Sequence, residues 1–138
     1  MKKVIEVCAA VIINENKILL TQRGYGEYKD KWEFPGGKIE QNETKEETIK
    51  REIKEELNVD INVDHTLCKV EYDYTSFYLK MNVFCVSLKT NTIVFKEHES
   101  YKWIEFSDLK ELDQIDLLPA DRLVVPYLKK YLTLKTHQ

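Results

Sequence analysis

Glu52, Glu55 and Glu56 place three carboxylates within one stretch of five residues, and their spacing decides what they can do together. Around them Ile49, Ile53 and Leu57 recur at every fourth position, the pattern of a helix that turns an apolar stripe toward a core. With about 100° between successive residues, the three glutamates share one arc beside that stripe, and Arg51 lies at its far edge. Like charges three and four residues apart oppose a helix by a few tenths of a kcal/mol per pair, a cost that a hard divalent cation would reverse. Oxygen ligands gathered without His or Cys suit magnesium or manganese rather than zinc. The same stretch has a plainer reading, because Lys45, Glu46, Glu47, Lys50 and Lys54 also make a solvated helix laced with opposite-charge pairs.

Such a helix must be started, stopped and packed. Upstream, Trp32-Glu33-Phe34-Pro35 leads into Gly36-Gly37, where missing side chains let backbone approach a bound group and Pro35 stiffens the entry. A polar loop follows, with Asn42 available as the N-cap of a helix that begins near Glu43 or Thr44. Glu43 supports this junction through a favourable interaction with the helix start. Asn58 ends the helix where a left-handed conformation is wanted, and Asn tolerates it best after Gly.

The rest of the chain supplies a sheet. Ile5 to Ile13 is continuously apolar and β-rich, and Asn14-Glu15-Asn16 turns it into a second strand, Lys17 to Arg23, as a hairpin. Gly24 to Lys31 has no period and reads as a surface loop. Ile61 and Val63 suggest a strand edge; Leu67 to Asp73 and Phe77 to Ser87 are longer strands joined at Thr75-Ser76. Lys89 to Thr92 is a further turn, Tyr101 to Phe106 a strand, and Ser107 a candidate cap for a short helix to Leu112. A closing helix follows Leu117-Leu118-Pro119-Ala120-Asp121, with Pro126 either kinking it or setting a later first turn. Strands interleaved with two substantial helices and at least one hairpin predict an α/β fold, a mixed sheet covered on both faces.

A length of 138 residues fits one domain spanning 1–138. With 33% charged residues, 43% hydrophobic residues and a net charge of −3, the chain lacks a polybasic surface for nucleic acid polymers or acidic lipid. No run approaches the roughly 20 apolar residues that span a bilayer, and Asn14 and Glu15 come too early for a secretion signal. Cys8, Cys68 and Cys85 are odd in number and set among apolar neighbours, which predicts reduced, non-catalytic core thiols in a cytoplasm. His65, His98 and His137 are isolated and speak against a His-based metal site. Monomer and homodimer both stay open.

From Gly37, five residues intervene before Glu43 and seven more before Arg51, after which Arg51-Glu52-Ile53-Lys54-Glu55-Glu56-Leu57-Asn58-Val59 follows without a gap. This stretch resembles the Nudix box, the signature of enzymes that hydrolyse nucleoside diphosphates linked to another group. It departs at Asn58, where the family has glycine. Lys17-Ile18-Leu19-Leu20, Gln22-Arg23, Trp32 to Glu40 and Leu118-Pro119-Ala120-Asp121 extend the resemblance to the MutT-like nucleoside triphosphate pyrophosphohydrolases, and within them to the CTP pyrophosphohydrolase subgroup.

The resemblance implies an α/β/α sandwich and a magnesium-dependent attack of water that releases a nucleoside monophosphate and pyrophosphate. It implies that Glu52, Glu55 and Glu56 hold magnesium, or manganese in its place, with the Gly36 carbonyl and Glu97, or else Glu99, as further ligands. Glu52 is then the general base, oriented by Arg51. Gly37 and Lys38 belong to the glycine-lined phosphate seat, and Arg23 lies near base or sugar. Tyr74 and Phe77 offer a stacking surface. Where relatives that clear oxidised guanine nucleotides have Asn, this chain has Asp121; an ionised Asp only accepts hydrogen bonds and so favours the exocyclic amine of cytosine or adenine. Asp121 as a mere helix cap is the competing use. The expected substrate is CTP, dCTP or 5-methyl-dCTP; the alternatives are an 8-oxo-dGTP diphosphatase and a non-catalytic nucleotide-sensing module.

Overall fold

The computed structural model describes residues 2–90, 92–95 and 100–136. Val11 and Ile12 show how it is layered: neighbours in one strand, both fully buried, they belong to opposite cores. A continuous apolar run is buried in this way only in a sheet covered on both faces. That run is strand β1 (Lys3–Asn14), joined in the sheet by β2 (Lys17–Gln22), β3 (Trp32–Glu33), β4 (Gly36–Lys38), β5 (Ile61–Asp73), β6 (Phe77–Leu88) and β7 (Tyr101–Glu105). Helices α1 (Lys45–Leu57) and α2 (Pro119–Thr136) cover the two faces, and a 3₁₀ helix, Phe106–Asp113, precedes α2. The strands lie in the order β3-β2-β1-β6-β5, with β4 added on β1 and β7 on β2. β1 and β6 are parallel while the other pairs are antiparallel, so the sheet is mixed, as the sequence predicts.

The α1 core takes Ile49, Ile53 and Leu57 against Cys8, Ala10, Ile12 and Leu19. Each such side chain contributes roughly 1.5–3 kcal/mol on burial, which fixes the rotation of α1 and hence the direction of its carboxylates. On the opposite face Val124, Val125, Leu128 and Leu132 of α2 pack on Val11, Ile18, Leu20 and Ile104. The hairpin closes through Glu15 and Asn16 at φ 50° and 62°, pairing Asn14 with Lys17.

Four local expectations change. The N-cap of α1 is Thr44, not Asn42: its hydroxyl accepts from the Glu47 N–H while the Glu47 carboxylate accepts from the Thr44 N–H, a complete capping box. Asn42 instead takes a turn conformation at φ 64°. The segment after β7 is 3₁₀ and begins at Phe106 with Glu105 as its cap residue, so Ser107 does not cap it. β5 runs unbroken from Ile61, because register shifts between Val63 and His65 and between Thr66 and Cys68 absorb the irregular alternation. Pro126 lies inside α2, whose first turn starts at Pro119. Asn58 ends α1 in the left-handed conformation expected, at φ 52°. Among the described residues no helix is long and apolar enough to cross a membrane.

Candidate active site

β4 carries the two glycines onto β1, with Gly36 opposite Ala9 and Gly37 opposite Cys8. A Cβ on Gly36 would run into the Cys8 carbonyl oxygen and stand 2.8 Å from Ala9 Cα, so this glycine is needed for close strand pairing. The space over Gly37 is filled differently: a Cβ there would lie 2.5 Å from both carboxylate oxygens of Glu52. Both of these close approaches are to the chain itself. Gly37 is the floor on which the α1 carboxylate rests.

Arg51 holds that carboxylate in place. Its guanidinium donates to Glu52 Oε1 at 2.8 Å, to both oxygens of Glu43 at 2.6 and 2.9 Å, and to the Lys38 carbonyl at 3.0 Å. Glu43 also accepts from the Thr48 hydroxyl and the Glu40 N–H. The Arg51 guanidinium and the Thr48 hydroxyl together hold the Glu43 carboxyl down at about 2. Glu43 therefore does more than favour a helix start: it is the anchor for Arg51. Arg51, expected at the edge of the acidic arc, is the hub that joins α1, β4 and the loop between them.

Glu52 and Glu56 line a cavity of about 490 Å³, together with Gly36, Gly37 and Lys38. Glu55 does not line it; its half-exposed side chain reaches Arg51 at 3.4 Å. Arg23, Glu33, Tyr74, Phe77 and Asp121 line the same cavity, and Arg23 and Glu33 also line a smaller one with Gly36 and Glu56. Arg23 makes a two-pronged ion pair with Glu33, Nε to Oε2 at 2.8 Å and Nη2 to Oε1 at 3.0 Å, and its guanidinium lies 5.6 Å from the Tyr25 ring. The sequence reading missed Glu33, because its pairing depends on β3 lying beside β2, a register that no local pattern announces.

Asp121 sits in the first turn of α2, buried, with Oδ2 accepting the Phe34 N–H at 2.8 Å. It therefore ties α2 to the segment before β4 rather than serving as a simple cap. Burial, reinforced by the nearby Glu33 charge, pushes its carboxyl up to about 8. The shift is toward the protonated form, in which Asp121 donates as well as accepts, where the sequence reading takes an ionised acceptor. Tyr74 and Phe77 stack on each other, centroids 4.9 Å apart, and Tyr72 and Tyr28 take further positions around Tyr74. The Tyr74 ring is consequently packed rather than open as a stacking face.

Cys8, Cys68 and Cys85 are free and buried, and burial pushes their thiols up to about 11, 11 and 12, away from reactive thiolate character. Glu97 and Glu99, the expected loop ligands, lie outside the described residues, as do His98 and His137. Among the described residues no three His, Cys, Asp or Glu side chains stand ready as a metal cluster. The donor chemistry nevertheless fits a hard divalent cation. Two carboxylates one helical turn apart, Glu52 and Glu56, line one cavity, and Glu52 occupies the cradle that a Cβ on Gly37 would fill.

A helix that presents carboxylates beneath a glycine-bearing strand, inside an α/β/α sandwich, defines the Nudix class of hydrolases. The family model described as the NUDIX domain matches residues 2–128, and the chain belongs to that family. It is 35% identical over 109 residues to the 8-oxo-dGTP diphosphatase of Buchnera aphidicola subsp. Schizaphis graminum (strain Sg), covering 78% of this chain and 82% of the relative. It is 31% identical over 134 residues to the CTP pyrophosphohydrolase of Escherichia coli (strain K12), covering 96% and 95%. Among solved structures, the E. coli ORF135 protein superposes with a TM-score of 0.78 at 27% identity, covering 99% of this chain and 94% of that one. The chain is a Nudix hydrolase, and the two named activities of its relatives leave the base to be decided at the site.

Proposed function

We propose that the chain works as one Nudix unit that hydrolyses nucleoside triphosphates, chiefly CTP, dCTP or 5-methyl-dCTP, to nucleoside monophosphate and pyrophosphate in the presence of magnesium or manganese. The observation that carries this is the cavity itself: Glu52 and Glu56 line it beside Gly36, Gly37 and Lys38, and Arg23, Tyr74, Phe77 and Asp121 line it too. Glu52 takes the proton of the attacking water, and Arg51, anchored on Glu43, keeps its carboxylate aimed. Glu52, Glu55, Glu56 and the Gly36 carbonyl would hold the metal. When bound, magnesium neutralises phosphate charge and makes a coordinated water easier to deprotonate. Lys38 and Gly37 receive phosphate, while Arg23 and Asp121 meet the nucleoside.

Glu52→Gln tests the chemistry: it should fold normally and release almost no pyrophosphate from CTP or dCTP. Release of inorganic phosphate alone by the unaltered enzyme would contradict the proposed bond cleavage. A second reading, hydrolysis of 8-oxo-dGTP, is favoured by one specific observation. A protonated Asp121 both donates and accepts, as an amide does, and can pair with the O6 and N1–H edge of a guanine as well as with cytosine. Side-by-side kcat/KM values for dCTP and 8-oxo-dGTP separate the two, and a preference for the latter by orders of magnitude replaces the cytosine assignment.

A further inference from the structure

Tyr74 lines the cavity from the turn between β5 and β6, and little of its ring is left for a ligand. Phe77 stacks on it with planes 25° apart, Tyr72 leans against it at 4.6 Å, and Tyr28 meets it edge-on at 5.5 Å. Only 5% of the residue is exposed. Its hydroxyl is held from one side: the Ala120 N–H, at the start of α2, donates to the Tyr74 oxygen at 3.1 Å. Among the described residues nothing accepts the phenol's own proton. Burial and the neighbouring Asp121 push this phenol up to about 12, so the proton stays on oxygen throughout the neutral range.

A buried hydroxyl with its lone pair engaged and its proton unclaimed is a donor waiting for an acceptor. Ala120 immediately precedes Asp121, so the bond from its N–H sets the Tyr74 hydroxyl against the turn of α2 that carries the Asp121 carboxyl, and Tyr74 and Asp121 both line the cavity. We propose that the Tyr74 hydroxyl is a specificity-determining hydrogen-bond donor to the nucleobase, acting beside the Asp121 carboxyl to read a ring acceptor next to an exocyclic amine. In cytosine that pair is N3 and the N4 amine. The assignment rests on the nucleotide-hydrolase reading above and adds to it the group that supplies the donor.

Tyr74→Phe is the test, because phenylalanine keeps every ring contact and removes only the hydroxyl. Pyrophosphate release is followed with CTP, with 3-deaza-CTP, in which C–H replaces N3, and with an abasic deoxyribose triphosphate. Losing one hydrogen bond to the base is expected to lower kcat/KM for CTP about tenfold, while the abasic substrate and 3-deaza-CTP change by less than about twofold. Equal losses on all three substrates would mean that the hydroxyl merely holds the Ala120 N–H and α2, which overturns the assignment. So would an unchanged kcat/KM for CTP. Failure of the unaltered enzyme to release pyrophosphate from any nucleoside triphosphate sinks both readings at once, whereas a uniform loss in the variant sinks only the role of Tyr74.

Discussion

Gly37→Ala probes the site at its tightest point. The added Cβ would lie 2.5 Å from both Glu52 carboxylate oxygens, where ordinary contact begins at 3.4 Å, so the carboxylate must retreat by about 1 Å. A displacement of about 1 Å at a reacting group costs about a hundredfold in rate, which is about 2.7 kcal/mol of barrier. The fold should survive. Gly37 is not at positive φ, and what gives way is the far end of a flexible side chain rather than backbone. Gly36→Ala is the instructive contrast, since its methyl would strike the β1 backbone and force β4 off the sheet, at a cost of about 1–3 kcal/mol of stability. The assay is steady-state pyrophosphate release by each variant alongside thermal unfolding. For Gly37→Ala, kcat should fall about a hundredfold with KM within about threefold and Tm within about 4 °C. A folded Gly37→Ala enzyme that keeps kcat within about threefold would refute Glu52 as the group that meets the water.

Two further substitutions test the charges that surround the site. Arg51→Lys keeps the charge but cannot span Glu43 and Glu52 together; kcat should fall about tenfold or more with little change in KM, and an unchanged kcat discards the positioning role. The same variant should unfold at higher pH on acidification. The folded Glu43 carboxyl, at about 2, lies below its unfolded value, so its contribution is present above about pH 4.3 and is lost as pH falls toward 2. Asp121→Asn tests the opposite sign. With a folded value of about 8 against about 3.9 unfolded, the native state retains a proton that the unfolded chain gives up. Its contribution is complete below about pH 3.9 and is lost as pH rises through about 8. Unfolding measured from pH 4 to 9 should show a flatter decline in the variant, and parallel curves would mean that Asp121 is ionised throughout.

What could be read from the sequence was whatever a short repeat determines. The stripe Ile49, Ile53, Leu57 fixes the rotation of α1, and Asn58 at the helix end is a left-handed position by residue type alone. The N-cap was misread although the signal was present. Thr44 with Glu47 three residues on is a capping box, and Asn42, an equally good cap by type, was preferred for lying just ahead of the expected start. The arc of three glutamates was only partly legible, because 100° periodicity places Glu55 near Glu52 and Glu56 but is silent on the pull of Arg51. Arg23 with Glu33 and Asp121 with the Phe34 N–H were not legible at all. The first depends on strand register, and the second joins residues 87 positions apart.

Those long-range contacts give the lining of the cavity two kinds of chemistry. Arg23 is already answered by Glu33, two oxygens on two nitrogens, and what reaches Asp121 is burial first and the Glu33 charge second. An ionised carboxylate there would have to be sustained largely by the Phe34 N–H, its own N–H and the more distant Arg23, against both of those effects. That balance favours the neutral acid beside the neutral Tyr74 phenol, two groups suited to a flat heterocycle with donors and acceptors. Glu52 and Glu56 line the same cavity from α1, and their oxygens suit the divalent cation that a triphosphate would carry with it.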